Sequence, residues 1–380
     1  MRHLTYFFIF LFFVTSCSSN EEPPLVLTTI RIVTDQGIRL DVVSSEQTTL
    51  QLDGFDQNNQ PFEINDEILW SVENDHATIT QNGVLTAQSV GTAIVVAQVS
   101  DLRAEASLSI WDSSAPRTEI YVSDVGNDRN GPHRIWRYDE NGEHPEAFIS
   151  TALSRPQDII FLEDQQIVLV SNLGGNNINQ YDIETGEFKG TFAANLNGPT
   201  RIDIGPDRLI YAIQWNGGPV RRYEQDGTFV DDFTDTSIDE AIGMAWDNQR
   251  NLYVASFNDG GSGFVLQFDP EGNQIGTFIN TNLVGPTDIW FDGSDMLVND
   301  WSANSVKRFD SEGVFLETFI SGVAQPEGVA TLNGNLLLGA SGSSSVPMYT
   351  SNGSFVSNRI TPGKGGLITP NAVVVRRVNP

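Results

Sequence analysis

The chain has 380 residues, a formal net charge of -28, 34 glycines, 17 prolines and one cysteine. The charge excludes nucleic acid and anionic lipid surfaces as partners, because both repel it, and the lone cysteine excludes an intramolecular disulfide. Hydrophobic content of 39% and charged content of 18%, with that many turn residues, suit an all-β protein long enough for two or three domains.

At the amino end, Arg2 and His3 precede an apolar run over residues 4–14. It is too short to span a bilayer comfortably once cleaved and reads as a secretory signal over residues 1–16. Val14, Thr15 and Ser16 lead directly into Cys17. This resembles the lipobox of bacterial lipoproteins, with Val14 where leucine is more usual, and implies cleavage before Cys17 and lipid on its sulfur. Several acyl chains at one site give stable anchoring, with no transmembrane helix left after processing. Residues 17–25 are a polar, acidic tether containing Glu21 and Glu22. It resembles the acidic export signal of some surface-exposed Gram-negative lipoproteins. The implied location is the cell envelope, at the outer membrane or surface of a Gram-negative bacterium.

From 26 to 112 the chain shows alternating strands. Ile68, Leu69, Trp70 and Ser71 are followed by residues 77–80, by Gly83 to Ala87 and by a long run from Gly91 to Val99. These motifs resemble the bacterial immunoglobulin-like group 2 domain, which implies a β-sandwich with Trp70 as its buried aromatic and two glycine-centred turns setting the closing strands. In that family such modules act as spacers or adhesion units, so a stalk is the expectation here. Residues 113–117, rich in serine and containing Pro116, form the linker.

Residues 118–380 repeat. Equivalent positions fall at Pro156, Pro199, Ala241, Pro286, Pro326 and Pro370, spaced 43, 42, 45, 40 and 44 residues apart. Each unit has a second β-patterned run ending at Asp124, Asn172, Gln214, Ser256, Asp300 or Ala340. A third run ends in an aromatic: Tyr138, Tyr181, Tyr223, Phe268, Phe309 or Tyr349. A turn glycine follows, from Gly142 to Gly353, and five fourth runs finish on phenylalanine, with Arg359 in the sixth place. Such a unit cannot bury both faces alone and must stack on copies of itself. Radial stacking gives a six-bladed β-propeller, in which the lone first run over 370–378 completes the blade begun at 118. The pattern resembles NHL repeats and lacks the Gly-His and Trp-Asp pairs of WD-repeat blades.

In such a blade the first and second strands are antiparallel, so two rings of residues are expected at the axial mouth. The first comprises Asp158, Arg201, Gly243, Asp288, Gly328 and Ala372; the second, Asp124, Asn172, Gln214, Ser256, Asp300 and Ala340. Asp124, Asp158, Asn172, Asp288 and Asp300 offer oxygens to Ca²⁺ or a similar divalent cation. Alternatively they accept backbone N–H groups at strand ends, with Arg201 neutralising Asp158. Trp215, Phe257 and Trp301 each follow a second-ring residue. They either stack on a sugar ring or another flat ligand, or fill gaps between blades, which is the default for such aromatics.

Six-bladed relatives include metal-dependent lactonases and streptogramin lyases. The lactonase resemblance implies a divalent ion held here by Asp158, Asn172 and Asp288, but neither ring contains a glutamate. The four histidines, His3, His76, His133 and His144, include none at a ring position, so the base of a lyase is missing. No Gly-x-Ser-x-Gly elbow, phosphate loop or HExxH pair occurs. The sequence thus reads as a non-catalytic, lipid-anchored platform binding a protein or glycan, with a metal-dependent lactonase or esterase as the alternative.

Overall fold

The computed structural model describes residues 24–33 and 39–379. The signal segment, Cys17 and the tether as far as Pro23 lie outside the described residues. The fold is an immunoglobulin-like β-sandwich followed by a β-propeller.

In the amino-terminal module, Arg39–Asp41, Leu102–Trp111, Gly91–Val99 and Leu69–Val72 form one sheet in that order. Leu27–Val33, Gln51–Asp56 and Pro61–Phe62 form a second, and Gln47–Thr49, Val84–Ala87 and Ala77–Ile79 a third. Period-two alternation sends Ala93, Val95 and Ala97 inward, where they meet Trp70, Leu85, Leu108 and Ile110 in one buried cluster.

Arg117 to Val378 builds six four-stranded antiparallel sheets. Their innermost strands are Pro370–Val378, Pro156–Leu162, Pro199–Ile204, Ala241–Trp246, Pro286–Asp292 and Pro326–Leu332. Pro370–Val378 pairs antiparallel with Arg117–Asp124, Arg117 opposite Val378 and Asp124 opposite Pro370. Asp124 latches this junction: its carboxylate accepts the N–H groups of Ile368 and Thr369 at 3.0 and 2.8 Å, that of Gly126, and Trp136 Nε1. Most clusters of core side chains straddle two blades, as where Leu169 and Ile178 of one meet Ile202 and Ala212 of the next, so the blades bury one another.

The turn glycines have a second role beyond positive φ. Gly313 sits at φ +77°, and a Cβ there would lie 2.1 Å from the carbonyl oxygen of Phe278, the end of the preceding blade. The same approach recurs from Gly186 to Phe148 and from Gly142 to Arg359. The repeat therefore pairs its turn glycine with the neighbour's terminal residue, including at the unit whose phenylalanine is replaced.

The sandwich is docked on the first blade. Arg39, almost fully buried, donates to Glu119 at 2.9 Å and lies 3.5 Å from Glu146. The guanidinium of Arg117 lies over the Trp111 ring, and His144 joins Asp139 to Thr92. These contacts gather at the Arg117 end of the Arg117–Asp124 strand, away from Asp124.

Candidate functional site

At the Asp124 end, the second strands finish around the axis and the loops into the inner strands cross above them. Nearly every second-ring side chain is spent on such a loop. Asn172 accepts Ser154 N–H at 3.0 Å, Gln214 accepts Asn197 N–H at 2.7 Å, and Ser256 donates to the Asp239 carbonyl. Asp300 accepts the N–H groups of Val284 and Gly285 and pairs with Lys307 at 2.6 Å. Their short polar side chains replace backbone partners where the strands stop pairing.

The next residue in each blade donates its N–H to the carbonyl just before the inner strand, as Trp215 does to Gly198, Phe257 to Glu240 and Trp301 to Gly285. That link turns Val125, Leu173, Trp215, Phe257 and Trp301 toward the axis, where they wall a mouth cavity of about 290 Å³. The three aromatics thus line the open mouth, and they also touch one another from blade to blade, Trp215 against Phe257 and Phe257 against Trp301.

Each inner strand begins with a break in register: Pro156 faces Asn172 and Asp158 faces Ser171, leaving Gln157 unpaired, and equivalent breaks occur in the other blades. A β-bulge re-aims the side chains on either side of it. In consequence Gln157, Ile242, Thr287, Glu327 and Asn371 reach the mouth, and the expected first ring lies one layer deeper.

That deeper layer is an ionic plug. Buried Arg201 donates to the Gln157 carbonyl at 3.0 Å and to Asn371 Oδ1 at 2.8 Å, with Asp288 3.8 Å from its Nε. Burial opposes its charge, and Asp288, Asp158 and Glu327 raise its pKa nonetheless. Asp158 accepts the N–H groups of Ile159 and Ile202; Asp288 accepts those of Ile289 and Val329. Each thereby staples its strand to the next blade. Burial raises both carboxyls, Asp288 to about 6. Below the plug a cavity of about 550 Å³ opens toward the opposite face, lined by Ile159, Ile202, Met244, Ile289, Val329 and Val373. Asp203 lies on its wall, pushed up to about 7 by burial.

Glu327 is the mouth residue that ring counting missed. Only 8% exposed, it reaches Ser341 Oγ from Oε1 at 3.4 Å, and Ser341 in turn accepts Trp301 Nε1 at 3.0 Å. Its Oε2 is buried without a hydrogen-bond partner among the described residues. Burial pushes the carboxyl up to about 7 against the opposing pull of Arg201. The signal available in sequence was the residue after each Pro or Ala, which reads Gln157, Thr200, Ile242, Thr287, Glu327, Asn371 and is polar in five of six units. Across the mouth, Arg155 pairs with Asp128 at 2.8 Å.

The five oxygen-bearing residues offered to a cation do not meet. Asp124, Asn172 and Asp300 hold loops, while Asp158 and Asp288 flank Arg201. Among the described residues no three acidic, histidine or cysteine side chains are grouped to hold a metal ion. His133 bonds the Val125 carbonyl and His144 sits at the docked module, both outside the mouth lining.

No family model matches the chain, and no curated protein sequence matches it. Solved structures do. A chain in the crystal structure of a nidogen/laminin complex is 17% identical with a TM-score of 0.57, covering 69% of this chain and 99% of that one. A protein of unknown function from Bacteroides caccae is 14% identical with a TM-score of 0.52, covering 70% and 100%. A gluconolactonase from Xanthomonas campestris reaches a TM-score of 0.47 at 14% identity, covering 55% and 77%. These neighbours are β-propeller proteins. At such identities the likeness establishes the fold and nothing about the ligand.

Proposed function

We propose that this chain is a lipid-anchored binding protein of the cell envelope, in which a module of the bacterial immunoglobulin-like group 2 kind carries a propeller that captures a protein or glycan at its mouth. The observation that carries this reading is the partly exposed wall of Trp215, Phe257 and Trp301 around a half-open pocket. Aromatic side chains combine large contact area with little conformational entropy, which is why they anchor binding sites. One propeller neighbour comes from a complex of two proteins, which is consistent with a protein ligand. The docked module lies at the opposite end of the blades, so an anchor on Cys17 would present the mouth outward. No helix among the described residues is long and apolar enough to cross a membrane.

A hydrolase at the same mouth gains one specific support, because burial pushes the Glu327 carboxyl up to about 7, where it could exchange a proton with a substrate. Affinity capture from the native envelope and a glycan array, both with the full chain, separate the readings. The wild type should retain a ligand that the Trp215→Ala/Trp301→Ala double variant retains at least tenfold less. Equal capture by the variant would sink the platform. Turnover of a lactone or aryl ester abolished by Glu327→Gln would replace it with the hydrolase.

A further inference from the structure

The mouth holds a buried carboxyl with one unpaired oxygen among the described residues. Arg201 is the one cation of the plug, and it faces Asp158, Asp288 and Glu327. Two of these acids are also satisfied by backbone N–H groups. Glu327 accepts a long contact from Ser341 with the Trp301 indole beside it, and its second oxygen has no hydrogen-bond partner among the described residues although nine-tenths of the residue is buried. A buried acceptor without a donor is costly, more so if charged, so a ligand bringing N–H groups and positive charge would relieve it.

The rings around it fit the same ligand. Trp215 and Phe257 have centroids 5.6 Å apart and planes inclined at 45°; Phe257 and Trp301 are 6.0 Å apart and inclined at 69°. A flat sugar wants one broad face, whereas the planes of these rings are inclined to one another and share none. Aromatic faces around a carboxylate attract an ammonium through their quadrupoles, more strongly when water is excluded. A net charge of -28 steers cations to the protein.

We propose that the mouth formed by Trp215, Phe257, Trp301 and Glu327 is a cage for an alkylammonium group, which a protein partner would present as a lysine side chain. This rests on reading the mouth as the ligand site. Binding needs Glu327 ionised. The groups facing it are Arg201, which stays charged, and Asp288 beyond it; Asp128 and Arg155 neutralise each other at the far rim. Because burial holds the Glu327 carboxyl near 7, affinity should strengthen as pH rises through neutrality and level off above it.

Isothermal titration of the full chain with butylammonium chloride, at constant ionic strength against sodium chloride, tests the proposal. Expected are saturable 1:1 binding, at least tenfold tighter at pH 8 than at pH 5.5, and at least tenfold weakening in Glu327→Gln and in Phe257→Leu. Absence of saturable binding by the wild type, binding that ignores pH, or binding of methyl glucoside in its place would overturn it, and none of these needs a variant to fold. If envelope capture depends on Trp215 and Trp301 while butylammonium fails, the platform stands and the ammonium cage falls.

Discussion

Single residues at the mouth divide into those that build and those that are left free. Asp124, Asn172, Gln214 and Asp300 occupy the positions a ligand-binding ring would need, yet each is tied to backbone N–H groups of its own blade's entry loop. Glu327 is the exception, and its pKa makes it visible in solution. An acid raised from 4.5 to about 7 in the folded state keeps its proton while the unfolded chain has released its own, so the unfolded state binds fewer protons and stability falls as pH rises through this window. Asp288, raised to about 6, and Asp203, raised to about 7, act in the same direction. Urea midpoints should therefore decline from pH 5 to pH 8. Glu327→Gln should remove about 2–3 kcal/mol of that decline, and identical pH slopes in the two proteins would show that Glu327 is not held protonated.

Among the elements, the bulge at the head of each inner strand and the glycine turn between the outer strands do most to shape the propeller. The bulge brings Gln157, Thr287, Glu327 and Asn371 to the mouth and sends Asp158, Arg201 and Asp288 into the channel. Meanwhile the turn sets how closely neighbouring blades approach. Gly313→Ala forces a side chain into φ +77° and against the Phe278 carbonyl, a strain of about 1–3 kcal/mol before the clash is counted. Thermal unfolding should show a drop of several degrees in Tm. An unchanged midpoint would mean that the blades can part at this turn without cost.

Taken whole, the propeller is a ring sealed by hydrogen bonds between its two ends, with the sandwich seated on the sealing blade. Arg117–Asp124 spans the distance from docked module to mouth, about 23 Å at roughly 3.3 Å per residue, so module and mouth share one strand. Deleting Pro370–Pro380 removes the inner strand of that blade, its bonds to Asp124 and the Arg376 ion pairs to Glu163 and Glu184. Calorimetry should then show loss of the propeller transition as a unit. A truncated chain melting like the intact one would contradict a ring that depends on its closing strand.

Much of the fold was legible in sequence because a repeat writes its constraints many times. The aromatic and glycine positions recur in every unit, since each blade must fill the same gap against the same neighbour. Trp70 was expected in the core from the resemblance to the bacterial immunoglobulin-like group 2 domain, and it is buried. The candidate site was less legible. Ring counting assumed straight strands, and a one-residue bulge exchanges which side chain faces the mouth, so Glu327 was passed over and Asp288 placed too high. The expectation of interblade packing for Trp215, Phe257 and Trp301 came from the general burial of aromatics in such cores; that they also face the mouth follows from one backbone hydrogen bond apiece to the facing loop. Local periodicity determined which segments become strands and that they must stack. Where the unpaired carboxylate, the plug and the aromatic wall meet was decided only by tertiary structure, because convergence on the axis depends on register and closure of the ring, which no single repeat encodes.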